Sequence, residues 1–587
     1  MMKNVLLASV LALACCAAVS ELDASLREVS DVKKWEADVK PEQQRSSTKL
    51  EETMKNAFTA IAASSPGKMA CLACQAGIRV LRTLAKTDLT RSLFLSTAQL
   101  VCSTAAHQES DVCKGLSDST GNAIFDVLQK LRLGESQIPP LACHAIANVC
   151  PMPEIKLKQL PLPSRKNAQP QRPKSRAVRR VLHLTDIHFD TSYQVGAEAD
   201  CNKPICCQKD SASAIKSPAR EWGEYRCDAN QKMLNSLLNN AANRHNYEML
   251  LFTGDIPAHD IWKETPYRNA KTAEHVYEML QTNFPKTPIY PAIGNHEAAP
   301  LNQFPLEGNS TLYAFMAKQW AKWIPSDQLA SVRKGGFYAV PHSQDLTVLI
   351  LNTNIYYKNN YLVFLDPQNP DPHGMLQWLI KQLQAAEDRG THVLLTGHIA
   401  PGSTDFYQHW SDAFHRIILR YSDTIAGQFY GHLHYDEFEI FYSNDNKSQE
   451  AAVNAAFLAP SMGTHGGINP SYRVYEIDGN NKVVNYKQFY ANLRNQKQWT
   501  RDAEWELLYS AVDAYSTSPV LQPLTPAFLH QATAAMATNR TMFDKYWNYH
   551  KANGEIDACD AKCQERQICT LRAGRSKENC AIIIPFS

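Results

Sequence analysis

Aspartate, histidine and asparagine recur in this sequence just after short apolar runs. Asp186 and His188 follow Val181-Leu182-His183-Leu184-Thr185, and Gly254-Asp255 follows Met249-Leu250-Leu251-Phe252-Thr253. Gly294-Asn295-His296-Glu297 follows the run at 288–293, Gly397-His398 the run at 392–396, and Gly431-His432-Leu433-His434 the run at 425–430. Asp186, His188, Asp255, Asn295, His398, His432 and His434 are enough ligands for two cations that share one carboxylate. Imidazole, carboxylate and amide together suit zinc, manganese or iron and suit calcium poorly. Two divalent ions about 3.5–4 Å apart clamp a phosphate ester and supply hydroxide near neutral or acidic pH.

For side chains scattered between residues 186 and 434 to meet, the elements that carry them must end together. Each run has the length and the β-branched or aromatic content of a buried strand. In an open α/β sheet, sites form beyond the carboxyl ends of the strands, so five strand ends converge on one place. A glycine just before a ligand lets the chain turn sharply and come close to an ion. Residues 346–352 read as a further strand, and 452–461 and 472–477 as strands of a second sheet. Residues 374–383 read as a helix with Leu376, Leu379, Ile380 and Leu383 turned inward.

In this order, Asp186-x-His188, Gly254-Asp255, Gly294-Asn295-His296-Glu297, Gly397-His398 and Gly431-His432-x-His434 resemble the calcineurin-like metallophosphoesterases. The resemblance implies an α/β (α+β) fold over 181–492, with two packed mixed β-sheets flanked by helices. It implies two Zn2+ ions bridged by Asp255, with Asp186, His188 and His434 on one and Asn295, His398 and His432 on the other. A water between the ions would attack phosphorus in line. His296 stands where the family supplies a proton to the leaving group. His259, four residues after Asp255, is the second candidate or a phosphate-stabilising group. A protonated histidine suits an acidic medium, since unperturbed imidazole titrates near pH ~6.5. Alignment with the loops that line the family's choline end adds Asn302 and His465 as head-group contacts. His465 stands where an aromatic residue is expected.

With 44% hydrophobic and 20% charged residues, the 587-residue chain is globular rather than disordered and long enough for several domains. Its formal net charge is +2 with histidine neutral, and 19 histidines make it far more positive near pH 5. That favours anionic membranes in an acidic compartment. Residues 1–20 read as a secretory leader, with Lys3, an apolar stretch and Ala18-Val19-Ser20 as a cleavage site. The stretch is short for a membrane span and no later run is long enough, so no transmembrane span is expected. Cys15 and Cys16 fall in the leader, and the other fourteen of the 16 cysteines suffice for seven disulfides, a habit of exported chains. Sequons at Asn309, Asn446 and Asn539 read as glycosylation acceptors.

Residues 21–66 form a polar lead, and 67–153 a module with six cysteines among apolar residues at helical spacing. Cys71 and Cys74 share a helix face, as do Cys143 and Cys150. Antiparallel end helices would nest these pairs, one of 15 possible connectivities. The spacing resembles saposin B-type domains, all-α units that open onto lipid and whose disulfides imply Cys71–Cys150, Cys74–Cys143 and Cys102–Cys113. Residues 154–180 form a proline-rich basic linker, either solvated or lying on an anionic surface. Cys201, Cys206, Cys207 and Cys227 could hold structural zinc. The phosphoesterase resemblance implies the disulfides Cys201–Cys206 and Cys207–Cys227 instead.

Residues 493–587 read as a helical tail, with Trp505, Leu508, Tyr509 and Val512 at helical spacing and staples Cys559–Cys563 and Cys569–Cys580. No cysteine lies between Cys227 and Cys559, so a disulfide of some family members is missing and the loop at Tyr356-Tyr357 is expected to be looser. The whole order of leader, saposin-like module, linker, phosphoesterase and stapled tail resembles the acid sphingomyelinase family. It implies hydrolysis of membrane sphingomyelin to ceramide and phosphocholine by a monomer, secreted or lysosomal, at an anionic lipid surface. The module would bring lipid to the site. Two other readings stay open: a phosphodiesterase of this fold for nucleotides or other head groups, and a lipid-binding protein with an inert esterase domain. The intact ligand set argues against the second. No nucleic-acid module is legible.

Overall fold

The computed structural model describes residues 66–580 except 85–87, 105, 133–135, 148, 166–176, 307–309 and 521. The leader at 1–20, the lead segment up to residue 65, the middle of the linker and Asn309 lie outside the described residues. Among the described residues, no helix is long and apolar enough to cross a membrane.

The chain begins with five helices: α1 (Pro66–Leu84), α2 (Asp88–Thr104), α3 (Ser110–Leu116), α4 (Asn122–Lys130) and α5 (Ile138–Ala147). Ile78, Phe94, Phe125, Leu128 and Leu141 are buried between them. Cys71–Cys150 and Cys74–Cys143 join the first helix to the last, and Cys102–Cys113 closes the α2–α3 corner. Cys143 lies in α5, but Cys150 lies beyond its end rather than on the same helix face. Pro151 follows, and a residue before proline is driven out of helical geometry. The α2–α3 corner is docked: Cys102, Val112, Cys113 and Leu116 form one apolar cluster with Ile205, Ile261, Trp262 and Leu301. Beside it, Lys203 Nζ reaches Asp111 at 2.7 Å and Asp210 at 3.3 Å.

Two six-stranded mixed sheets follow. The first runs β12-β11-β10-β1-β2-β3 and the second β4-β5-β6-β7-β9-β8. In the first, β1 (Arg179–Leu184), β2 (Met249–Phe252) and β3 (Ile289–Pro291) are parallel. Every residue of β2 and β3 is buried, as expected of apolar runs covered on both faces. Parallel neighbours need crossovers, which are α6 (Gln231–Arg244) and α7 (Pro266–Asn283). Asn230 and Thr265 cap them, accepting the N–H of Met233 and Arg268.

In the second sheet, β4 (Tyr338–Ser343) is antiparallel to β5 (Leu346–Ile350). From β5 on, β6 (His392–Thr396) and β7 (Ile425–Tyr430) run parallel, with α8 (Met375–Arg389) and α9 (Gln408–Arg420) as crossovers. Leu376, Leu379, Ile380 and Leu383 of α8 are buried, as the spacing expects. The sheets face one another through aromatic rings, for example Phe429 of β7 edge-on to Tyr475 at 4.7 Å.

Three expectations are corrected. Residues 452–461 and 472–477 do not share a sheet. β9 (Ala452–Leu458) lies with β8 (Glu437–Tyr442) in the second sheet, and β10 (Ser471–Ile477) pairs with β1 in the first. Trp505–Ser510 is not helical but is β12, paired with β11 (Val483–Ala491). Tyr509 fixes it, stacking on Tyr549 at 4.2 Å and donating its hydroxyl to Asp436 Oδ2 at 2.5 Å. The Tyr356-Tyr357 loop is not loose. Both rings are buried, Tyr356 stacks on Phe406 at 5.3 Å, and its carbonyl accepts the N–H of Tyr407 at 3.0 Å.

Past β12 the chain is helical, through α10 (Pro526–Thr538), α11 (Arg540–His550) and α12 (Ala561–Leu571). Disulfides Cys201–Cys206, Cys207–Cys227, Cys559–Cys563 and Cys569–Cys580 account for the remaining described cysteines. Asn446 and Asn539 are exposed, and the Asn539 side chain also caps α11 by accepting from Met542 N–H.

Candidate metal centre

The carboxyl ends of β1, β2, β3, β6 and β7 open on one place. Asp186 and His188 leave β1, Asp255 leaves β2, Asn295 leaves β3, His398 leaves β6, and His432 and His434 leave β7. The turns are steep. Asp186, His188, Asp255, His432 and His434 have φ of 51°, 44°, 60°, 73° and 66°, a region that non-glycine residues rarely enter and that persists only where surrounding contacts enforce it. Glycines serve in two ways. Gly254, at φ 93°, supplies the turn itself. Gly431 supplies closeness, because a Cβ there would fall 2.5 Å from Asp186 Oδ2.

The donors form two groups. Asp186, His188, Asp255 and His434 bring ligand atoms within 4.8 Å of one another, as do Asp255, His398 and His432. Asp255 belongs to both. Asn295 joins the second group, its Oδ1 lying 3.0 Å from His398 Nε2 and 2.9 Å from His432 Nδ1.

Hydrogen-bond accounting shows what the centre wants. His188 Nδ1 donates to Pro257 O at 2.9 Å and His398 Nδ1 to Thr253 O at 2.8 Å. A carbonyl only accepts, so Nδ1 carries a hydrogen in each ring and Nε2 is the nitrogen turned inward. His432 Nε2 meets Asp405 Oδ2 at 3.0 Å, which turns its Nδ1 lone pair inward too. Asn302 Oδ1 accepts from Asn295 Nδ2 at 2.9 Å, so Asn295 must face the centre with its oxygen. His188 Nε2 then lies 2.9 Å from His434 Nε2. Nitrogen and oxygen donors gathered at such distances suit a cation between them.

Ionisation points the same way. Burial alone would raise Asp255, but His398, His296 and His188 hold it well below the usual carboxylate range. Burial opposes charge on His398 as well, yet Asp255 and Asp186 push it up to about 9. Burial pushes Asp186 up to about 6. The residues present therefore fit a divalent metal, with ligating histidines oriented by carbonyls and a carboxylate behind them.

The other sequence-predicted residues surround these groups. His296 is buried, and its backbone N–H donates to Asp255 Oδ1 at 2.8 Å. The His259 ring lies over His188 with centroids 3.9 Å apart, and its Nδ1 meets Asp228 Oδ1 at 2.8 Å. Burial, with His188 and His296 beside it, holds His259 well below its usual pKa. His465 tilts against His259 at 4.8 Å, with Nε2 3.2 Å from Pro204 O. Asn302 sits behind Asn295, as above, with 3% of its surface exposed.

Sequence reading missed three carboxylates. Asp405 meets His432 and pairs with Lys358 at 2.6 Å. Glu297 accepts the backbone N–H groups of Ile256 at 2.9 Å and Asp255 at 3.2 Å, clamping the ligand turn. Asp228 holds His259. Only Glu297, inside Gly-Asn-His-Glu, carried a sequence signal.

Residues 179–436 match the family model for the calcineurin-like phosphoesterases, and 450–580 match that for the acid sphingomyelin phosphodiesterase C-terminal region. The chain is 38% identical over 414 residues to Sphingomyelin phosphodiesterase of Homo sapiens, covering 68% of this chain and 64% of the relative. It is 31% identical over 488 residues to Sphingomyelin phosphodiesterase B of Dictyostelium discoideum, covering 81% and 75%. With Sphingomyelin phosphodiesterase 1 of Caenorhabditis elegans it shares 30% over 525 residues, covering 86% and 91%. It thus spans less than two thirds of the human relative's length and most of the nematode's. The ligand-bearing strands fall inside the first matched segment and the stapled tail inside the second. This chain belongs to the sphingomyelin phosphodiesterase family of the calcineurin-like phosphoesterases.

Proposed function

We propose that this protein hydrolyses sphingomyelin to ceramide and phosphocholine with two zinc ions, at an anionic membrane surface. The observation that carries the reading is the pair of donor groups sharing Asp255, in a chain of this family. Asp186, His188, Asp255 and His434 would hold one ion, and Asp255, Asn295, His398 and His432 the other. Imidazole, carboxylate and amide donors of this kind suit zinc. When bound, the two ions neutralise phosphate charge and activate a water for in-line attack. His296 and His259 line the centre beside His188, at ring distances of 4.6 and 3.9 Å. Their imidazoles are the groups to hydrogen-bond the phosphodiester and to meet the proton demand of a ceramide alkoxide, a strongly basic leaving group. His465, packed on His259, and Asn302, behind Asn295, would shape the head-group end.

The five-helix module is read as saposin-like, on the support of its nested disulfides and its docking at Ile261, Trp262 and Leu301. Attached in cis, it would raise the effective concentration of lipid at the site. Seven disulfides support an exported chain, secreted or lysosomal. The test is phosphocholine release from sphingomyelin-containing anionic liposomes, with bis(p-nitrophenyl) phosphate as a soluble diester in parallel and a chelator in matched samples. The reading expects chelator-sensitive release from the liposomes. Turnover of the soluble diester alone would transfer the assignment to soluble phosphodiesters such as nucleotides. Turnover of neither would favour a lipid-binding role.

A further inference from the structure

Two threonines stand side by side beneath the donors. Leu184 and Phe252 are the last paired residues of β1 and β2, and Thr185 and Thr253 follow them. Both threonines are buried. Thr253 Oγ1 lies 2.5 Å from Thr185 Oγ1, which lies 2.6 Å from Asp186 Oδ2. Each hydroxyl has one hydrogen to give. A carboxylate that holds a cation has none, so Thr185 donates to Asp186 and accepts from Thr253. Behind them, the fully buried His183 brings Nε2 to 3.0 Å from Thr253 Oγ1, so that hydroxyl has no water to turn to. The backbone N–H of His432 is shared between the two oxygens of Asp186, 3.0 Å from Oδ2 and 3.1 Å from Oδ1. Oδ2 alone also takes the hydroxyl. Oδ1 is the oxygen turned to the donor group, 3.5 Å from His434 Nε2 and 4.0 Å from His188 Nε2.

Two further observations single out this pair. A Cβ on Gly431 would fall 2.1 Å from Thr185 Oγ1 as well as 2.5 Å from Asp186 Oδ2, so the chain keeps open the space that the hydroxyl and the carboxylate share. Thr253 also serves the other donor group, because its carbonyl accepts from His398 Nδ1 at 2.8 Å. We infer that Thr185 and Thr253 are positioning residues of the metal centre: their hydroxyls, in line, hold Asp186 Oδ2 so that Oδ1 alone faces the ion of the Asp186, His188, Asp255 and His434 group. Thr253 thereby backs both ions, one through its hydroxyl and one through its carbonyl. The inference rests on the two-ion reading above and adds to it the groups that orient a ligating carboxylate.

The test is zinc binding by metal-stripped full-length protein, read without substrate by competition with a graded chelator. Thr185→Val keeps the shape and removes the hydroxyl. It is expected to weaken one of the two zinc affinities about 10- to 100-fold and to leave the other within about threefold. Asp405→Ala, behind His432 of the other group, should weaken the other ion. Thr185→Ser restores the hydroxyl and should bind both ions within about threefold of the parent. Thr253→Val keeps the carbonyl, so it should weaken the same ion as Thr185→Val, by less, and add no further loss in a Thr185→Val background. Parent affinities in Thr185→Val, a Thr185→Ser protein as weak as Thr185→Val, or equal loss of both ions would each overturn the inference. Should Thr185→Val fail to fold, Thr253→Val carries the test, and parent affinities for both ions in that protein would overturn the inference. A parent that binds two zinc ions and spares sphingomyelin sinks the lipid assignment only. A parent that binds no zinc sinks both.

Discussion

At the scale of residues, the candidate donors are only as good as the groups behind them. Burial opposes ionisation of Asp405, but Lys358 and His432 hold its carboxyl well below the usual range. It stays charged and keeps His432 Nδ1 turned inward. Asp405→Ala is expected to weaken metal binding at the Asp255, His398 and His432 group 10- to 100-fold, about the measure for a lost partner of a ligating histidine. Competition with a graded chelator would read this, and unchanged affinity would remove Asp405 from the account. The seven donors were legible because each follows an apolar run, and that run is itself the strand that carries it. Asp405 and Asp228 were not. Each approaches its histidine from a distant part of the chain, 27 and 31 residues away, and no local pattern sets an acid on an irregular loop apart.

At the scale of elements, the helical module packs tightly on the phosphoesterase domain at Gly115. A Cβ built there would fall 2.0 Å from Trp262 O, a backbone atom that cannot step aside. Gly115→Val should force α3 off the Ile261–Lys263 turn and cost about 1–3 kcal/mol, the usual penalty of overpacking. Thermal melting would register it, and an unchanged midpoint would mean the docking is slack. Elements were legible where their pattern was long or closed by a turn signal, as in β1, β2, β6, β7 and α8. Trp505–Ser510 misled because its apolar positions fit a helix as well as a strand. The deciding force is non-local, since β11 offers an open edge and Asp436 offers an acceptor to Tyr509. The placement of β9 and β10 in different sheets likewise follows from pairing partners that local sequence does not name.

At the scale of the molecule, the seam between the second sheet and the C-terminal helices holds buried carboxyls. Glu437 Oε1 accepts from Gln567 Nε2 at 3.0 Å, and Glu439 Oε2 accepts the N–H of Gly402 at 3.0 Å. Burial, with Asp436 nearby, pushes Glu437 up to about 7, and burial raises Glu439 well above its usual value. A carboxyl raised in the folded state binds its proton more tightly there than when unfolded. Its stabilisation is complete below about pH 4.5 and is lost as pH rises through 7. His550, lowered to about 4 mainly by burial, responds in the opposite sense, so the comparison must be made one residue at a time. Relative to the parent, Glu437→Gln should gain about 3 kcal/mol between pH 4.5 and pH 7.5. Melting curves of both proteins at the two pH values would show this, and parallel shifts would contradict it. The central claim is hydrolysis by a pair of ions sharing Asp255. It is tested most directly by stripping the protein with chelator and titrating zinc back while phosphocholine release from sphingomyelin liposomes is followed. The account predicts that activity returns only as the second zinc binds each chain. Full activity with one ion per chain, or in the stripped protein, would contradict it.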